Sequence, residues 1–108
     1  MTREQQLKIF DEITKKAREI LQKKGNDYAN EDVLSNFKLA GSICGLSPEI
    51  NCLSLIATKV ARLGVLLNSI KEPENESIKD SMIDLNVYSF LLICLELDKY
   101  KILENHAN

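Results

Sequence analysis

Hydrophobic residues recur at helical intervals along this chain, in four blocks separated by short polar or turn-forming stretches. In the first block Leu7, Phe10, Ile13, Ala17, Ile20 and Leu21 follow Thr2 and Gln5, a capping-box pair. Lys23-Lys24-Gly25 then supplies last-turn cations and a stop, which predicts a helix over about Arg3 to Lys24. Gly25 to Asp32 is rich in turn formers and reads as a loop leading to a short helix, about Val33 to Cys44, closed by Gly45. Ser47 as N-cap and Pro48 at the first helical position open a third helix, about Pro48 to Lys71. Its apolar positions are Ile50, Leu53, Ile56, Val60, Leu63, Leu67 and Ile70. Glu72-Pro73-Glu74-Asn75 forms a charged turn before a last helix, about Glu76 to Leu103, with Glu104 to Asn108 expected to fray. The middle of that helix, Leu85 to Leu95, is apolar nearly all round, as in a central core helix or a subunit interface. No repeat, low-complexity tract, strand-like alternation or linker interrupts this order. The pattern predicts one all-α domain over residues 1–108, a four-helix bundle.

Composition narrows the class. The 108 residues suffice for one core, and 44% hydrophobic with 28% charged residues is the balance of a folded chain. A net charge of −2 offers no basic field for general nucleic-acid binding. The N-terminal residues lack an apolar signal region and the longest uninterrupted apolar run is Phe90 to Leu95, so the expectation is a cytoplasmic protein without a membrane partner. Cys44, Cys52 and Cys94 have no metal-ligand spacing and fit reduced, mostly buried thiols. The apolar surface of Leu85 to Leu95 predicts a homo-oligomer, a dimer or a dimer of dimers.

Two helices carry charges where a bland bundle has none. At about 100° per residue, Lys59 falls among Leu55, Ile56, Leu63 and Leu66, inside the apolar stripe, and Arg62 borders it. The two cations could meet one anion, the guanidinium offering a fork for phosphate or carboxylate. Equally, Lys59 can snorkel to water and Arg62 form a surface ion pair. On the last helix Glu76, Asp80 and Asp84 lie four apart on a line that continues through Val87, Tyr88 and Leu91. Such carboxylates can converge on a Mg²⁺ ion that recruits substrate phosphates, although acids at these intervals also serve a wet face or the helix dipole.

Lys23, Lys24, Asn26, Asp27 and Tyr28, followed by Asn36-Phe37-Lys38, place an aromatic beside amides and cations, a way to hold a base or ribose. Phe37 as core and Asp27 as a turn residue are the alternative. His106, the one histidine, lies in the expected tail, which argues against a histidine-dependent nucleophile or zinc site. Gly-rich phosphate loops, Gly-x-Ser-x-Gly and Cys-x-x-Cys are absent from the sequence.

In order, Lys24-Gly25-Asn26-Asp27-Tyr28, Leu34-Ser35-Asn36-Phe37, Lys59-Val60-Ala61-Arg62-Leu63 and Glu76-Ser77-Ile78-Lys79-Asp80, with Asp84-Leu85 and Tyr88, resemble a phage-associated family, the nucleotide modification-associated domain family (the first of that name). The resemblance spans about residues 23 to 92. That family is similar in turn to the all-α MazG-like nucleoside triphosphate pyrophosphohydrolases, helical oligomers that bind Mg²⁺ through acidic helix faces. The resemblance implies a nucleotide site containing Asp27, Lys59, Arg62, Glu76, Asp80 and Asp84; Lys24, Tyr28, Asn36 and Tyr88 are expected as further substrate-binding positions. The chain departs from the MazG-like pattern in lacking the earlier Glu-Glu-x-x-Glu block and in spacing Glu76 and Asp80 as Glu-x-x-x-Asp.

Three functions compete on this reading. In the first, a phage-type nucleotide-handling enzyme, Lys59 and Arg62 neutralise phosphates while Asp80 and Asp84, with Glu76, hold Mg²⁺ that activates water against a phosphoanhydride. Tyr28 stacks on the nucleoside and Asn36 hydrogen-bonds to it. In the second, an oligomeric binder sequesters nucleotides or nucleotide immune signals, an anti-defence role favoured by the missing acidic block. In the third, the apolar last helix docks on a protein partner.

Overall fold

A computed structural model describes residues 1–27, 32–69 and 78–107, with side chains described to residue 24, over 32–69 and over 78–101. They form four helices and no strand among the described residues: α1 (Arg3–Asp27), α2 (Ser35–Cys44), α3 (Pro48–Asn68) and α4 (Ile78–Ala107).

The local start signals work as their chemistry requires. Thr2 Oγ1 accepts from the Gln5 N–H at 3.1 Å while Gln5 Oε1 accepts from the Thr2 N–H at 2.8 Å, the reciprocal capping box of α1. Ser47 Oγ accepts from the Ile50 N–H at 3.1 Å, with Pro48 in the first turn of α3. Gly45 takes a left-handed φ of 70°, which lets the Leu46 N–H reach the Gly41 carbonyl at 2.7 Å and end α2. A second glycine matters at the same corner. A Cβ on Gly41 would stand 2.8 Å from the Leu46 carbonyl oxygen, so the tight α2–α3 turn requires its absence.

Several boundaries differ from expectation. α1 passes through Gly25 to Asp27, because a glycine costs a helix only about 1 kcal/mol and does not by itself end one. α2 begins at Ser35 rather than Val33, since Asp32 Oδ1 accepts from the Leu34 N–H at 3.0 Å and folds the approach into a turn. α3 ends at Asn68, where Ser69 turns extended, with φ −76° and ψ 138°. The tail expected to fray is helical through Ala107. The predicted start at Glu76 lies outside the described residues, as does the side chain of His106.

α4 is the central element. Among the described residues it packs on α1 and on α3, α2 packs on α3, and Phe37 and Lys38 of α2 also reach α4. Leu34, Phe37, Cys52, Val87, Leu91 and Leu95 form the core cluster, with Ile20, Leu21, Ile56 and Cys94 packed against it. The apolar middle of α4 is therefore a core helix on one face, while Phe90, Ile93 and Leu97 on its other faces stay exposed. Cys44 is exposed, contrary to the expected burial, whereas burial raises the thiol pKa of Cys52 and Cys94. The sequence's uninterrupted apolar runs are too short for a membrane span, yet α3 is long and apolar enough to cross one by length and composition alone, with 11% of that stretch buried.

Candidate functional site

Two cavities are lined by residues that are neighbours along α1 and along α4. The first, about 350 Å³, lies under Tyr88. Leu34, Phe37, Leu55 and Leu91 give it apolar walls, and Lys24 and Asn36 give it polar groups. The half-buried Tyr88 is fixed on several sides. Lys24 Nζ donates to its hydroxyl at 3.4 Å and stands 5.1 Å from the ring centroid, a cation at the face and edge of the aromatic. Phe37 meets the ring edge-on, with centroids 6.4 Å apart and planes at 88°. The buried Cys52 thiol donates to the Tyr88 carbonyl at 3.5 Å, tying α3 to α4 at this level.

The second cavity, about 340 Å³, is a charged cleft between α1 and α4 lined by Lys16, Glu19, Lys23, Ile20, Asp80 and Asp84. Asp84 also accepts from Lys59 Nζ at 3.2 Å, and the two side chains are 26% and 24% exposed. Lys59 is thus held on the α4 carboxylate, so its charge on the apolar stripe has a partner within the protein. Glu19 and the two aspartates carry donors of the type Mg²⁺ takes, but among the described residues no three acidic, histidine or cysteine side chains are grouped closely enough to hold a metal alone.

Of the residues singled out in the sequence, Lys24, Asn36 and Tyr88 meet at the first cavity, and Asp80 and Asp84 at the second. Arg62 is exposed on α3 and, like Asp80, has an interaction partner. Asp27 ends α1 with its side chain outside the described residues, and Tyr28 and Glu76 lie wholly outside them. Phe37 is core, and Lys38 is drawn away from the site by Asp32 and by Asp98, the latter at 3.0 Å. These partners raise the Lys38 pKa, chiefly through the hydrogen bond to Asp32, and that bond lowers the Asp32 pKa.

Lys16 and Glu19 do not stand out in the sequence, and Lys23 does so only as a last-turn cation beside the Asn26–Tyr28 segment. Their spacing, at i, i+3 and i+7 on α1, was the available signal, for it puts all three on one helix face beside Ile20. Compared with protein-family models, curated proteins and solved structures, the chain matches none.

Proposed function

We propose that the protein binds a nucleotide, or a small molecule derived from one, across the two cavities, with the base under Tyr88 and the phosphates at the charged cleft. The observation that carries this reading is adjacency. Lys24 of the first cavity follows Lys23 of the second, and Tyr88 of the first lies one turn beyond Asp84 of the second. A turn of helix advances about 5.4 Å, on the scale of the step from a base across its ribose to a phosphate.

Each half has suitable chemistry. Tyr88 offers an aromatic face and Asn36 both a donor and an acceptor for a base edge, beside apolar walls. Lys16 and Lys23 supply phosphate-binding cations. Glu19, Asp80 and Asp84 would repel a bare polyphosphate, so a Mg²⁺ ion arriving with the phosphates and touching Glu19 or Asp80 fits the cleft.

Binding without turnover is the form this geometry favours. Asp84, a carboxylate expected to serve catalysis, is occupied by Lys59, which leaves it poorly placed to ligate an activating metal or take a proton. Together with the sequence's resemblance to a phage-associated family, this reading extends to a phage-type sequestering role. The test incubates the protein with a panel of nucleotides, with and without Mg²⁺, and analyses the free pool and the pool released by heat. Sequestration returns an intact ligand from the heated protein. Mg²⁺-dependent products would instead mark a pyrophosphohydrolase, and retention of nothing from the panel would remove the nucleotide reading.

A further inference from the structure

The outer face of α3 has a regularity that the nucleotide reading leaves unused. Ile50, Leu53, Ala57, Val60, Gly64 and Leu67 follow one another at steps of three and four, a heptad seam without a charge. All six are exposed, including Ile50 at 49%, Leu53 at 48%, Val60 at 52% and Leu67 at 60%. The inner face, with Cys52 and Leu63, is the one that packs within the chain.

Gly64 is the clue to what covers this seam. A glycine inside a helix is unfavourable by about 1 kcal/mol against alanine, and a close backbone approach is the usual compensation. Here a Cβ at Gly64 would meet nothing within 4 Å among the described residues, so none of them supplies such a neighbour. The polar residues around the seam are prepared for burial. Ser54 Oγ donates to the Asn51 carbonyl at 2.7 Å and Asn68 Nδ2 to the Gly64 carbonyl at 2.7 Å. With donors turned onto their own helix, these side chains can be covered at little desolvation cost.

We infer that the seam is covered by α3 of a second copy, the two helices running antiparallel about a two-fold axis near the middle of the seam. In that register Leu53 faces Gly64 of the other copy, Ala57 faces Val60, and Ile50 faces Leu67. At the two inner steps a large side chain meets a small one, the self-complementarity that a two-fold interface requires. The exposed area leaves room for such a contact. The chain presents 8444 Å², against roughly 6,100 Å² for a compact monomer of its mass, a surplus of about 2,300 Å². A standard interface takes about 800 Å² from each partner. A lipid bilayer would also accept an apolar face, but it gives no reason for a heptad register or for small residues set opposite large ones.

Light scattering on the full chain at micromolar concentration tests this, with circular dichroism to confirm helix content. The wild type is expected at twice the mass of one chain. Gly64→Leu, which has open space within its own chain, is expected to weaken the dimer roughly thirtyfold or more, the scale of a central interface position, while staying helical. Adding Leu53→Ala to Gly64→Leu restores the dimer in the antiparallel register, and Leu97→Glu on α4 leaves it unchanged. A monomeric wild type overturns the inference, and its flotation with phosphatidylcholine vesicles would assign the face to a membrane instead. A Gly64→Leu variant as dimeric as the wild type, or one that Leu53→Ala does not rescue, overturns it as well.

Discussion

The cavity under Tyr88 and the charged cleft beside it stand one turn apart on α4, yet they are built by opposite means. The cavity draws on all four helices and on the core cluster itself, with Phe37 and Leu91 serving as both core and wall. The cleft uses only α1 and α4, and its residues are charged apart from Ile20 and Ile83. Shape in the cavity therefore depends on the packing of the whole fold, whereas in the cleft affinity depends on charges that can change without disturbing the core. Perturbations of packing should act on the first region and perturbations of charge on the second.

The largest effect is expected at the corner that seats α2. Gly41→Ala forces a methyl group against the Leu46 carbonyl oxygen, 2.8 Å away, and should cost about 2–3 kcal/mol, read as a fall in the thermal midpoint. Because α2 contributes Asn36 and Phe37, the cavity suffers and the cleft does not. A variant that melts like the wild type would show that the corner can relax and does not fix the cavity wall.

Next in size is Tyr88→Leu, which keeps an apolar side chain and removes the aromatic face and the hydroxyl bonded to Lys24. Loss of base stacking should lower nucleotide affinity by about 1–3 kcal/mol in a calorimetric titration. Inorganic triphosphate binding should not change, and an equal loss for both ligands would merge the two regions into one.

Lys59→Met tests the bridge that links α3 to the cleft. The pair is about three-quarters buried, so its loss should fall between the surface and the buried limits, about 1–2 kcal/mol of stability. Adding Asp84→Asn removes the stranded carboxylate and should recover most of that loss. A single variant with unchanged melting and abolished ligand binding would instead return Lys59 to the phosphate site.

The smallest effect concerns pH and falls on the cavity side, where Asp32 and Asp98 hold Lys38 and so fasten α2 to α4. Asp32 is depressed below 3.8, so its contribution is present above that value and is lost as pH falls through its folded pKa. Lys38 is raised above 10.5, so its contribution is present below that value and is lost as pH rises through its folded pKa. Both side chains are more than a third exposed, which keeps the effect under about 1 kcal/mol. Lys38→Met should flatten both shoulders of the melting profile, and shoulders that persist would place the titration elsewhere.

The fold was legible where structure is local. Thr2 with Gln5, Ser47 with Pro48, and Gly45 each act within a few residues and set helix ends where the sequence suggested. Gly25 misled because a glycine stops a helix only when the chain turns there. In the site, Lys24, Asn36 and Tyr88 stood out by residue type. Lys16 and Glu19 did not, because an exposed lysine or glutamate on an amphipathic helix looks the same whether or not a second helix passes beside it. Lys59 stands out as a charge in an apolar stripe, and the packing of α3 on α4 supplies Asp84 as its carboxylate.

The most direct measurement compares binding of a nucleoside with that of its mono-, di- and triphosphate, in Mg²⁺, to the wild type and to a Lys16→Ala, Lys23→Ala variant. If one ligand spans both cavities, wild-type affinity rises about tenfold or more from nucleoside to triphosphate, a gain of about 1.4 kcal/mol. The double variant then keeps the nucleoside affinity and loses the rise. Equal affinity of the wild type for nucleoside and triphosphate, or no binding of either, would contradict the account.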